Sequence, residues 1–100
     1  MYDCIVIGGG VVGTAVLDAL STRGYKTLLI EKEDDVASGA SRANSGIAHA
    51  GYDCVPGTLK AKFNVEGNKM MPSLTRDLDV PFRKTGSLVL AGRGGGKGLF

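Results

Sequence analysis

The stretch Asp3-Cys4-Ile5-Val6-Ile7-Gly8-Gly9-Gly10-Val11-Val12-Gly13 decides the fold, read with the run Thr27-Leu28-Leu29-Ile30-Glu31 that follows it. A short apolar run meets a glycine turn. An apolar-periodic segment then runs from Val11 to Leu20, Gly24 breaks it, and a second apolar run ends on an acid. The order is strand, turn, helix, strand, carboxylate. Gly8 permits a tight exit from the first strand, Gly10 lets a pyrophosphate come close to the backbone, and Gly13 allows the helix to pack close to the strand. A helix that starts there aims unpaired N–H groups and the positive end of its dipole at phosphates. Glu31 lies eighteen residues after Gly13, near the spacing of about 20 at which such folds set an acid on ribose hydroxyls. A glycine turn alone is a weak signal. The strand before it, the helix after it and the terminal acid together predict a dinucleotide site.

Working outward, Val12, Val16 and Leu20 recur at spacings of four with Ala15 and Ala19 beside them, which predicts one apolar stripe facing the sheet. Both apolar runs are nearly continuous, as suits parallel strands covered on both faces. The fold class is therefore α/β, with a Rossmann-like β-α-β start. Residues 32–35 are a charged turn. Val36 to Gly46 is rich in Ala, Ser and Gly, with Arg42 and Asn44 set among them. Such a segment is either a flexible linker or a close backbone approach to a ligand, with Ser hydroxyls and Arg42 available to phosphate oxygens. Arg42 reads equally as a solvated charge.

Residues 47–52 predict a short extended piece, Pro56-Gly57 a turn, and Thr58 the N-cap of a helix. Leu59, Phe63, Met70, Leu74 and Leu78 share one face of that helix and predict a core stripe. Pro72 is expected to kink or interrupt it, and Val80-Pro81 to end it. Phe82-Arg83-Lys84 and Ser87 to Ala91 read as strands. The tail from Gly92 carries five glycines in nine residues, too many for a packed element.

Composition narrows the function. The chain has 100 residues, 43% of them hydrophobic and 22% charged, and a formal net charge of +2. The basic residues are scattered, so nucleic acid is not indicated as a partner. No run reaches the roughly 18 apolar residues of a membrane span, and Met-Tyr-Asp at the start lacks the basic region of a signal peptide. Cys4 and Cys54 have no metal-ligand spacing and read as reduced thiols of a cytoplasmic protein. His49 is the single histidine, so no metal site built on several histidines is expected.

A series of further motifs carries a family resemblance: Ser38-Gly39-Ala40-Ser41-Arg42-Ala43-Asn44-Ser45-Gly46, then His49-Ala50-Gly51-Tyr52, Pro56-Gly57-Thr58-Leu59-Lys60-Ala61-Lys62 and Gly86-Ser87-Leu88. In this order, after the glycine turn and Glu31, residues 1–91 resemble the N-terminal part of the FAD-dependent oxidoreductases of the D-amino-acid oxidase superfamily. Within it they are most similar to the branch of glycerol-3-phosphate dehydrogenases and L-2-hydroxyglutarate oxidases. The resemblance implies FAD as cofactor, its ADP half on Gly8, Gly10, Gly13 and Glu31. Ser38, Ser41, Arg42 and Ser45 would approach the pyrophosphate, and His49 would lie near the flavin ring as a catalytic candidate. It implies a small anionic alcohol as substrate, oxidised by hydride transfer to flavin, and an electron acceptor that the resemblance leaves unspecified. Glycerol 3-phosphate is favoured, with a 2-hydroxy acid as the alternative.

Residues 1–79 then form the FAD-binding segment and residues 80–91 the first strands of a substrate domain. Residues 92–100, where family members continue with a charged helical segment, read as a non-native or disordered tail. The fold is expected to be incomplete and the chain by itself inactive. The whole enzyme would be cytoplasmic, with peripheral membrane association left open. A nicotinamide-dependent Rossmann enzyme also fits Glu31 and the glycines, but not the block from Ser38 to Lys62. A non-catalytic dinucleotide-binding fragment is the third reading.

Overall fold

The computed structural model describes residues 1–90, so the glycine-rich tail and Ala91 lie outside it. The described chain forms two compact units, one from Met1 to Gly46 and one beginning at Ile47.

The first unit is a β-α-β motif. Strand β1 (Cys4–Ile7) leads through the glycine turn into helix α1 (Val11–Thr22), which returns to strand β2 (Thr27–Ile30). The strands pair in parallel with Cys4 opposite Thr27 and Ile7 opposite Ile30. Asp3 sets this register at the outer end. Its N–H donates to the Lys26 carbonyl at 2.8 Å, and its carboxylate accepts from the Lys26 N–H at 2.7 Å. Helix α1 closes as Gly24 predicts. Gly24 has φ of +88°, its N–H donates to the Ser21 carbonyl, and the Tyr25 N–H reaches back to the Leu20 carbonyl. These two bonds satisfy carbonyls that a helix end would otherwise leave unpaired.

The phase of α1 differs from the predicted stripe. Gly13, Leu17 and Leu20 lie on the half-buried side, whereas Val12 is 74% exposed and Val16 is also exposed. The cause is Gly13. A Cβ built there would overlap the Gly8 carbonyl and touch Val6, so the helix meets the sheet at its glycine and not at its valines. Side chains alternate along a strand, which places Val6 and its register partner Leu29 under the helix. Ile5 and Ile7 face the opposite side, and Ile7 is 84% exposed. The expected covering of both sheet faces is thus met on one face by the described residues.

The second unit is built on helix α2 (Leu59–Asp77). Thr58 caps it as predicted, its hydroxyl accepting from the Ala61 N–H at 3.2 Å. The helix runs through Pro72 without a break, so of the kink or interruption expected there the interruption does not occur. Pro72 removes one N–H donor, while the turn after it gains a bond from the Thr75 hydroxyl to the Met71 carbonyl at 2.7 Å. α2 is capped at Leu78, with Asp79 in the left-handed region at φ of +54°. The Val80 N–H then donates to the Thr75 carbonyl at 2.8 Å.

The predicted core stripe of α2 is a further correction. Leu59, Phe63, Met70, Leu74 and Leu78 are all exposed. The inner face is Ala61, Asn64, Gly67, Asn68, Met71 and Thr75, of which Thr75 is only 6% exposed. Small and amide-bearing residues line that face, so a loop backbone can lie against it. The strands expected at residues 82–84 and from Ser87 onward do not form within the described residues, where 81–90 carry no regular structure. A strand exists through its ladder of hydrogen bonds, and these segments have no partner strand there.

Expressed by itself, residues 1–100 should show no cooperative thermal transition, because a two-stranded sheet with one bare apolar face is marginal in water. Circular dichroism at 222 nm against temperature should give a broad slope, and a sharp sigmoid would refute this expectation.

Candidate functional site

The glycine turn is the centre of the first unit. Gly8 has φ of +104°, in the left-handed region that suits glycine, and its N–H continues the sheet by donating to the Ile30 carbonyl at 2.8 Å. Gly10 is the N-cap of α1 but offers no side chain to cap it. The first-turn N–H groups of a helix have no partner within the helix. One of them is taken from a distance, since the Val11 N–H donates to Ser41 Oγ at 2.8 Å. The Thr14 hydroxyl, in turn, donates to the Gly10 carbonyl at 2.8 Å. An open cavity of about 420 Å³ lies here, bounded by the end of β1, the first turns of α1 and Ser41.

Glu31 reaches back over the turn. Its Oε2 accepts from the Gly9 N–H at 2.6 Å and its Oε1 from the Glu33 N–H at 3.1 Å. These N–H groups, that of Glu33 foremost and then that of Gly9, hold the carboxyl pKa below its ordinary value, against a smaller opposing effect of desolvation. Each carboxylate oxygen has two acceptor sites, so one on each remains for a hydroxyl donor.

Of the residues singled out in the sequence, Gly8, Gly10, Gly13, Glu31 and Ser41 are brought together around the turn. Ser38 is engaged locally, its hydroxyl donating to the Asp35 carbonyl at 2.9 Å. Arg42 and Ser45 are exposed. His49 belongs to the second unit, where it lines a cavity of about 250 Å³ with Phe63, Asn64, Gly67 and Asn68.

Sequence reasoning missed three residues. Gly9 is buried, and a Cβ on it would meet Glu31 Oε2 at 3.0 Å and Val36 Cγ1 at 3.2 Å. Val36 therefore packs on the turn. Ala37 follows at φ of +57°, unusual for a residue with a Cβ, with its N–H donating to the Gly9 carbonyl at 2.8 Å. The clue available beforehand was the extra glycine at position 9, which the GxGxxG pattern does not require.

The arrangement is an open cradle of backbone beside a carboxylate that two N–H groups fix in place. Gly8 and Gly10 line the cavity without side chains, which leaves the backbone open to close approach there, as the ADP half of a dinucleotide requires. A profile for the FAD dependent oxidoreductase family matches residues 3–99, and the chain belongs to that family. Over 91 residues it is 52% identical to a glycerol 3-phosphate dehydrogenase of Caloramator mitchellensis, covering 91% of this chain and 19% of the relative. It is 42% identical over 92 residues to a mitochondrial L-2-hydroxyglutarate dehydrogenase of Caenorhabditis elegans, covering 90% and 21%. A glycerol 3-phosphate oxidase of Mycoplasma pneumoniae is 38% identical over 90 residues, covering 89% and 23%. The chain thus spans about a fifth of the length of these relatives.

The Glu31 bonds carry a pH signature. A carboxyl whose folded pKa is depressed contributes stability above its unfolded pKa and loses it as pH falls through the folded value. In the complete gene product, the denaturation midpoints of the native protein and of Glu31→Gln should differ at pH 7 and converge as pH falls below about 4. Midpoints that keep their separation down to pH 3 would remove Glu31 from this role.

Proposed function

We propose that this chain is the FAD-binding part of a flavin-dependent dehydrogenase that oxidises a secondary alcohol beside an anionic group, with glycerol 3-phosphate as substrate. The observation that carries the substrate reading is the 52% identity to a protein named glycerol 3-phosphate dehydrogenase. The L-2-hydroxyglutarate dehydrogenases match at 42% and below. A 2-hydroxy acid is the second reading, favoured by how many of the similar proteins bear that name.

Bound FAD would supply the hydride acceptor. The chain's own residues do the rest. Gly8, Gly10 and Gly13 hold the backbone open to the pyrophosphate, and the N-terminus of α1 stabilises its charge. Glu31 accepts the ribose hydroxyls, and Ser41, with Ser38, Arg42 and Ser45 on the same segment, approaches the phosphates. His49 is the base. As hydride leaves the alcohol carbon, an imidazole nitrogen takes the hydroxyl proton and the carbonyl forms. Residues 1–79 constitute the cofactor segment and residues from 80 onward begin the substrate-binding part. The complete enzyme works in the cytoplasm, free or as a peripheral protein on a membrane surface. No helix among the described residues is long and apolar enough to cross a membrane.

Anaerobic mixing of the complete gene product with glycerol 3-phosphate should bleach its flavin absorbance, and with L-2-hydroxyglutarate should not. Bleaching by the hydroxy acid alone would install the second reading, and bleaching by neither would reject both. Glu31→Gln should weaken FAD binding roughly ten- to a hundredfold, the usual effect of losing a charge-assisted hydrogen bond. Gly10→Val should yield protein free of flavin. His49→Gln should retain FAD and lower kcat by about a hundredfold or more; FAD retention with an unchanged kcat would dismiss His49 as the base.

A further inference from the structure

Helix α2 touches the His49 segment at two places that the proposed chemistry does not use. The Asn68 Nδ2 donates to the backbone carbonyl of His49 at 3.1 Å, across nineteen residues of chain. Two residues beyond His49, Gly51 stands at φ of +92°, where a Cβ would meet Val65 Cγ2 at 3.0 Å and Asn64 Oδ1 at 3.4 Å. Asn64 Oδ1 is itself buried and has no hydrogen-bond partner among the described residues. Asn64, Asn68 and His49 line the same cavity.

We propose that Asn68 is a positioning residue for His49, fixing the imidazole through the backbone and not through the ring. The inference rests on the reading of His49 as the base. The segment from Ile47 to Ala50 has no helix or strand of its own to order it. A loop backbone without a ladder samples several conformations, and each one turns the attached side chain. The Asn68 amide removes that freedom at the His49 carbonyl, and the Gly51 packing on Asn64 and Val65 removes it two residues further on. Both anchors follow the His49 Cα in the chain, so they fix the peptide that leaves it and with it the Cα–Cβ direction. That matters for a general base, because a small misplacement of the accepting nitrogen lowers the rate steeply.

Leucine substitution removes the donor at similar volume, and glutamine restores an amide on a longer arm. In the complete flavin-loaded gene product, Asn68→Leu should lower kcat about tenfold, leave KM for glycerol 3-phosphate within about threefold, and leave flavin content unchanged. Asn68→Gln should recover part of the loss. In a His49→Gln background, Asn68→Leu should lower the rate no further, since the two residues act as one unit. Hydrogen exchange gives a readout apart from turnover: amides of the peptide covering 47–54 should exchange faster in Asn68→Leu, with those of α2 little changed. Equal losses from Asn68→Leu with and without His49 would overturn the proposal, as would faster exchange throughout α2, which marks a merely structural role. If His49→Gln lowers the rate and Asn68→Leu changes neither rate nor exchange, the positioning role fails and the reading of His49 stands. An unchanged rate in His49→Gln overturns both.

Discussion

The first unit depends on one steric constraint, the contact between the Gly8 carbonyl and the backbone of Gly13. A Cβ at position 13 would overlap that carbonyl, so α1 approaches β1 closer than any residue but glycine permits. That approach sets the rotation of the helix. Leu17 and Leu20, four and seven residues on, lie on the half-buried side, as 3.6 residues per turn requires. It also sets where the helix begins, and therefore where its unpaired N–H groups point. The cradle exists because the sheet and the helix start share one tight contact.

A second set of bonds keeps the cradle open. The Glu31 carboxylate holds the Gly9 N–H, Ala37 holds the Gly9 carbonyl, and Val36 packs above Gly9. The peptide groups of Gly9 are thus fixed from the side of β2, which leaves the backbone at Gly10 facing the cavity. Ala37 adopts a left-handed conformation to reach its bond, a strain of about 1–2 kcal/mol for a residue with a Cβ. Such strain persists where surrounding contacts over-determine it, and it gathers at ligand sites. The Glu31 carboxylate and the glycine turn are therefore one mechanical unit, coupled through Gly9.

How much of this is legible in the sequence follows from the range of the interactions. The strands, the turn, the caps at Gly24 and Thr58 and the place of Glu31 are local or fixed by the β-α-β crossover, and reading residue types in order suffices. The roles of Gly9, Val36 and Ala37 arise from a return of the chain over the turn, which no periodicity announces. The stripe Val12–Val16–Leu20 satisfies the helical period as well as Gly13–Leu17–Leu20 does. Apolar pattern alone favours the valines, and the contact at Gly13 overrules it. The segments at 82–84 and 87–90 have strand-like composition, but composition supplies no ladder.

Helix α2 makes the same point in the opposite direction. Leu59, Phe63, Met70 and Leu74 are exposed while Ala61, Asn64, Gly67 and Asn68 turn inward. A helix in water normally buries its apolar face, so this orientation needs a cause. The inner residues supply it: a small side chain admits a backbone, and an amide satisfies the carbonyl that the backbone brings. The His49 carbonyl finds Asn68, and the glycine at 51 lets the chain settle on Asn64 and Val65. A loop without regular structure has unpaired peptide groups, and burying each one unsatisfied costs about as much as burying a leucine gains. The face of α2 that carries amides is thus the face that can hold a loop, and a loop held in this way can present a single histidine at a defined angle.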